Sequence, residues 1–327
     1  MVNFLSHLGH RIAAGVIFSL FIQITHAGEF PEKPIQIVSP YSAGGTNDFL
    51  ARMMAQRMGA QLKINVVVEN RAGANGIVGS AYVAKTNPDG YTMLLGNSAT
   101  HGTNPTLYPD QPYDSIKDFA PVSMVGSVPI VLVVNSSLGI NNIDELIAYG
   151  KANPGKLAFG SSGVGGTGHL AGEALKAAAN IDMVHAPYKG DAPAVLDAMG
   201  GQVAVAFVGV ASAVTQTQAG KIKIIGIAHA NRVASLPKVP TFAEAGFKDL
   251  EFSQWYALVV RGGTPRTTVE KLSQTAKTVL ERDDVQKSMR LQGAEYKFLT
   301  PDELSAFFKS EIQRFSEIIR RLNIKVG

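Results

Sequence analysis

The sequence predicts an α/β protein of two lobes joined by two crossings, with a ligand cleft between the lobes. Three observations predict it. Short β-branched runs alternate with helical patterns, as in sheets covered on both faces. The alternation stops and then restarts. A last strand-like run follows the second series and returns the chain to the first lobe.

At the start of the chain, His10 and Arg11 precede an apolar run, Ile12 to Ile24, and then small residues ending at Ala27. That is the layout of a secretory signal peptide cut after Ala27. A membrane anchor needs roughly 20 apolar residues, and this run is shorter. The sequence has no cysteine, so a disulfide framework and a lipid-modified N-terminal cysteine are both excluded. A free, untethered protein of the bacterial periplasm is expected. The remaining 300 residues suffice for two cores. A formal charge of +4, without a basic cluster, suits a small anion better than nucleic acid.

In the first series, 35–40, 63–69 and 91–96 read as buried strands, and 47–58 and 76–86 as helices. Residues 97–125, rich in Pro, Asn and Asp, read as connection. The second series places strands at 156–161, 183–188, 203–208 and 222–228, with helices at 168–179, 191–201 and 212–220. A second connection, 230–250, leads to a strand at 252–260 and a helical tail. The last helix, from about Pro301, sets Leu304, Phe308, Ile312, Phe315, Ile319 and Leu322 on one face. The expected boundaries are 1–27 for the signal peptide, 28–122 with 252–327 for lobe one, and 123–251 for lobe two.

Ligands of such sheets sit beyond the carboxyl ends of the strands. Two loops there are alike. "SPYSAGGTNDFLAR" (39–52) and "GSSGVGGTGHLAGE" (160–173) both run from strand through Ser and Gly to Gly-Gly-Thr and a helix. Thr46 or Asn47, and Thr167, are expected to cap those helices. The first N–H groups of a helix lack internal partners and the dipole adds positive charge, so each loop can seat an anion. "YKGDAPAVLDAMGG" (188–201) offers a third helix start, with Asp191 as expected cap, Pro193 in the first turn and Lys189 beside it.

Gly163, Gly165 and Gly168 also spell G-x-G-x-x-G. A dinucleotide site calls for an acidic residue about 20 positions on, at the end of the next strand. That strand reads "MVHAPYKG", and Asp191 comes only after it. No lysine follows the glycines as a P-loop requires, and "GSSGV" misses the G-x-S-x-G nucleophile elbow. His169 and Glu173 form at most a partial metal pair, with no third ligand at suitable spacing. Asp48 and Arg52, four apart, read as a surface ion pair.

Taken in order, these loops with "ENRAGANGIVGSAYVAKTNPDGYTMLLGN", "NPTLYPDQPYDSIKDFAPV", "YKGDAPAVLDAMGGQVAVAF" and "PTFAEAGF…WYALVVRGGTP" resemble the Bug family over essentially all of 30–327. These are periplasmic solute-binding proteins of tripartite tricarboxylate transporters. The resemblance implies a type II periplasmic-binding-protein fold, a small carboxylate ligand, no cofactor, and delivery to two integral-membrane subunits. It implies ligand contacts from Tyr41, Ser42, Ala43, Gly44, Gly45, Thr46 and Asn47, and from Ser161, Ser162, Gly163, Gly165, Gly166, Thr167 and His169. Asn97, Tyr188, Lys189 and Asp191 complete the candidate set. Where the family usually carries acids or amides after "GGQV", this chain has Ala204 and Val208, which implies a ligand with an apolar or aromatic portion. A monomer with no nucleic-acid partner is expected. Two alternatives remain: a ligand-loaded partner of a membrane sensor kinase, and an exported hydrolase using Ser98, Ser161, Ser162, His101 or His169.

Overall fold

Residues 30–326 are described by the computed structural model, so the expected signal peptide, 1–27, lies outside the described residues. The first series is β1 (Ile35–Ser39), α1 (Thr46–Leu62), β2 (Val66–Asn70), α2 (Ile77–Val83) and β3 (Thr92–Asn97). A wide helical turn, Ala99–Thr103, runs into the short α3 (Asn104–Leu107). The second series is β4 (Phe119–Asn135), α4 (Ile143–Ala152), β5 (Leu157–Ser161), α5 (Thr167–Ala179), β6 (Met183–Pro187), α6 (Asp191–Gly200), β7 (Val205–Gly209), α7 (Val210–Thr217) and β8 (Ile222–Ala228). The chain closes with β9 (Ser253–Arg261), α8 (Arg266–Leu280), α9 (Asp283–Leu291), β10 (Glu295–Tyr296) and α10 (Pro301–Arg321).

Both series build parallel sheets of the same pattern. Strands β1, β2 and β3 lie in the order β2-β1-β3, and β5, β6 and β7 in the order β6-β5-β7. Their helical crossovers cover the faces, as parallel strands require. What joins the two sheets is β4, a single 17-residue strand. Up to Pro129 it pairs antiparallel with β9 of the first sheet. From Ile130 it pairs antiparallel with β7 and β8 of the second. The return crossing lies beside it, since Ile130 N–H donates to Phe252 O and Phe252 N–H to Ala228 O.

This strand corrects the sequence reading, which makes 97–125 a connection and assigns no element over 126–152. The run "VGSVPIVLVVN" carries no alternation because both faces of the strand are buried. Ile130, Leu132 and Val134 enter one apolar cluster, Val131 and Val133 another. Pro121, Pro129 and two register shifts, at Pro121/Ser123 and Met124/Gly126, further disguise it. The last helix behaves as its pattern predicts. Thr300 and Glu303 form a reciprocal capping box, and Leu304, Phe308, Phe315 and Ile319 are buried. Ile312 and Leu322, at the margins of that face, are half-buried.

Candidate functional site

The first loop leaves β1 and enters α1 through Gly45, which holds the N-cap position in extended conformation without a side-chain cap. Thr46 is therefore the first helical residue, not the cap. Its N–H donates to Ser212 Oγ (3.0 Å) and its hydroxyl to Asp191 Oδ2 (3.3 Å), both across the interlobe gap. Ser42 also crosses, donating from its N–H and its hydroxyl to Lys189 O, each at 2.9 Å. Asn47 is committed to its own lobe, accepting from Ser39 Oγ and donating to Leu95 O. Tyr41 is buried and its hydroxyl sits 3.3 Å from Asn97 Oδ1 and from Asn75 O. Asn97 is fully buried behind it, its Oδ1 accepting from the N–H groups of Ala99 and Thr100. Ala43 and Gly44 are exposed. Gly44, at φ +81, donates its N–H to Asp48 Oδ2, which also holds Arg52 at 3.0 Å. Burial works against ionising Asp48, but bonds from Arg52, Gly44 N–H and Asn70 prevail and lower its pKa.

The second loop leaves β5 and enters α5 through Gly166, again an uncapped glycine, so Thr167 is the first helical residue. Thr167 Oγ1 meets Ser98 Oγ of the first lobe at 2.8 Å. A Cβ on Gly165 would lie 2.1 Å from Leu107 Cδ1, and one on Gly163 3.1 Å from Asn75 Oδ1. These glycines accommodate the opposite lobe, not a pyrophosphate. Gly168 is required for packing, since a Cβ there would fall 2.2 Å from Phe207 O on β7. His169 Nδ1 accepts Gly165 N–H at 3.0 Å, and its ring stacks on His185 at 3.8 Å. Burial depresses His169 to a pKa of about 4 and His185 to about 3.

At the third start Gly190, not Asp191, occupies the N-cap, and Asp191 is the first residue of α6. The Asp191 carboxylate is 7 % exposed. Its Oδ2 accepts from Gly209 N–H at the start of α7 (3.2 Å), from Thr46 Oγ1 and from Ser212 Oγ (3.4 Å). Burial raises its pKa to about 6 against those bonds. Lys189 contributes its carbonyl, while its side chain is exposed. Tyr188 donates to Asp197 Oδ2 at 2.7 Å, within its own lobe.

Tyr41, Gly45, Thr46, Asn47, Ser162, Asp191, Gln254 and Tyr256 line a cavity of about 10 Å³ between the lobes. That is room for about one water. A Cβ on Gly45 would stand 3.7 Å from Ala192 N and 3.8 Å from Asp191 N and Ser212 Oγ. The starts of α1, α6 and α7 thus converge there. The two glycine loops lie on opposite lobes and both border the gap, the second lending Ser162 to the same cavity that Tyr41, Gly45, Thr46 and Asn47 of the first line. The first meets α6 and α7; the second meets Asn75, Ser98 and Leu107.

Sequence reasoning missed Asn75, Ser212, Gln254 and Tyr256. For Asn75 a signal exists: it sits at φ +50 between Gly73 and Gly76, a conformation Asn tolerates. Ser212, Gln254 and Tyr256 lie in ordinary helix and strand patterns with no such mark. Ala204 and Val208 do not line the cavity. Val208 is fully buried in the core and Ala204 packs against a core cluster, which removes the argument from them for an apolar ligand.

Three of the hydrolase candidates, Ser161, His101 and His169, are held in structural contacts. Ser161 Oγ lies 2.7 Å from His185 Nε2, but Ser161 is fully buried and its hydroxyl donates to Gly163 O. His101 is buried between Phe119 and Phe308, its Nδ1 against Thr100 Oγ1. His169 and Glu173 stand 3.9 Å apart, and no group of three metal-ligating side chains occurs among the described residues.

The family model described as tripartite tricarboxylate transporter family receptor (TctC) matches residues 50–324. The chain is 37% identical over 303 residues to Protein BugT of Bordetella pertussis, covering 92% of each. Among solved structures, a periplasmic transporter superposes with a TM-score of 0.88 at 39% identity, over 91% of this chain and 100% of that one. An R. palustris protein solved with adipate superposes with a TM-score of 0.88 at 32% identity, over 91% and 99%. The two-lobed fold and these matches define a solute-binding receptor, not an enzyme. The chain belongs to the tripartite tricarboxylate transporter receptor family.

Proposed function

We propose that this protein is exported to the periplasm, binds a small organic carboxylate between its lobes, and delivers it to two integral-membrane transporter subunits. The first lobe runs on past the expected limit at residue 122 to Pro129, because β4 pairs with β9 up to there, and resumes at Phe252, so the lobes move about β4 near Pro129 and the return crossing at Phe252. The observation that carries the reading is the convergence of the starts of α1, from one lobe, with those of α6 and α7, from the other, on one shared cavity. The adipate-bound relative supports the ligand class.

A hydrogen bond to a charged group contributes roughly 1.5–3 kcal/mol. Four or five therefore offer on the order of 10 kcal/mol before ordering costs, against about 8 kcal/mol for a micromolar complex. An arginine clamp is not needed. The lobes now meet through Ser42–Lys189 and Thr46–Ser212, and a carboxylate, larger than one water, enters only as these part. The acid then replaces direct interlobe bonds with bonds to itself, so it favours the closed form that contains it.

Mass spectrometry of acids that co-purify, followed by calorimetric titration, identifies and tests the ligand. Gly45→Asp places a carboxylate where the acid's own should sit and is expected to weaken binding at least tenfold. Unchanged affinity in a folded Gly45→Asp protein refutes the seat.

A further inference from the structure

We infer that the bound acid also carries a protonated amine, selected by two acceptors, the Asp191 carboxylate and Gln254 Oε1. This rests on the reading of the cavity as the carboxylate site. Both side chains line that cavity. Gln254 is 3 % exposed, and its Oε1 has no hydrogen-bond partner among the described residues. Neither group can pair with a carboxylate, because acceptor would face acceptor. Each calls for a donor.

Charge sharpens the choice of donor. Among the described residues no Lys, Arg or His lines the cavity. A ligand bearing only carboxylates would set like charges together in a confined gap, and a buried charge without a partner is costly. An amino acid brings its own cation. Its carboxylate takes the amides at the starts of α1 and α6, and its ammonium lies toward Asp191 and Gln254.

The interlobe bond gives a second argument. One of the donors to Asp191 is Thr46 Oγ1, from the opposite lobe. As the lobes part to admit a ligand, that hydroxyl withdraws from Asp191. A group that fills the space must donate in its place, and an ammonium does so with the matching charge. The raised Asp191 pKa agrees, since burial has left its anion short of compensation.

The test is calorimetric titration of the full mature chain at pH 7.5 with the twenty L-amino acids and their des-amino counterparts, such as aspartate against succinate and leucine against 4-methylpentanoate. For the amino acid that binds, the expected preference over its des-amino partner is about tenfold or more. Asp191→Asn should bring that ratio toward one and strengthen des-amino binding by removing repulsion. Gln254→Leu should reduce the ratio in part, and urea midpoints check that both variants fold. Equal affinities within pairs overturn the inference and leave the carboxylate site standing, as does a ratio that persists in Asp191→Asn. Hydroxy acids such as malate binding as tightly as their amino counterparts also overturn it. Failure of every acid in both series overturns the carboxylate site and this inference together.

Discussion

Asp191 offers the most direct test of how the lobes meet. Burial raises its carboxyl from 3.8 to about 6, opposed by bonds from Gly209 N–H, Thr46, Ser212 and Ser162. The titratable groups coupled to it, Tyr41 and Tyr256, are themselves raised well above neutrality and stay uncharged. The sign follows from which state holds the proton more tightly. The closed, folded form does, so the contribution of Asp191 to its stability is greatest below pH 3.8 and declines as pH rises to about 6, levelling beyond. Each pH unit in that interval corresponds to about 1.4 kcal/mol, so the whole interval costs about 3 kcal/mol. Asn at 191 keeps the size and an acceptor oxygen without the charge. Urea unfolding of the native protein and Asp191→Asn at pH 4 and pH 7 should show their stability difference moving by about 2 kcal/mol toward the variant at the higher pH. If opening of the lobes relieves the charge instead, the native radius of gyration by X-ray scattering should grow from pH 4.5 to 7.5 while the variant's stays constant. A stability difference flat within about 1 kcal/mol, together with identical radii, would sink the claim that Asp191 is ionised against its surroundings.

Three further outcomes are expected. Gly168→Ala drives a Cβ into the Phe207 carbonyl and should destabilise by about 1–3 kcal/mol in urea; Gly200→Ala, with nothing within 4 Å of its Cβ, is the neutral comparison. His169 and His185, with pKa values lowered to about 4 and about 3 by burial, take up protons on unfolding. Their contribution to stability should therefore fall as pH drops below 6.5, and a pH series of urea midpoints should show His169→Gln gaining on the native protein as the pH falls. Glu311 accepts from Trp255 Nε1 at 2.7 Å and from Arg314 at 2.7 and 2.8 Å. Glu311→Ala should lose about 1–3 kcal/mol and shift the emission of the single tryptophan; unchanged emission with unchanged stability would count against that bond.

Much of this architecture was legible in the sequence because it rests on local patterns. Alternating strand and helix signals in "IQIVSP", "YTMLLG", "KLAFGS" and "VAVAFV" sufficed for the two parallel units. Gly-Gly-Thr after a strand sufficed to find both loops, since only a helix start preceded by flexible backbone reads that way. The same locality explains the misses. Strand β4 is buried on both faces over most of its length and carries two prolines and two register shifts against β9, so it shows neither period. The caps fell one residue early, on Gly45, Gly166 and Gly190, because glycine enters a helix without a side-chain cap, extended at Gly45 and Gly166 and at φ +141 at Gly190.

The sequence by itself determined that the chain would form two α/β units whose helix starts could hold an anion, for those properties depend on neighbours a few residues apart. Only the tertiary structure decided which starts share a cavity. It set Thr46 against Asp191, 145 positions away, turned Lys189 outward while using its carbonyl, and left Gln254, which lines the cavity, with an Oε1 that has no partner among the described residues. Contacts of that kind are made by docking two separately folded sheets along β4, and no spacing along the chain encodes their geometry.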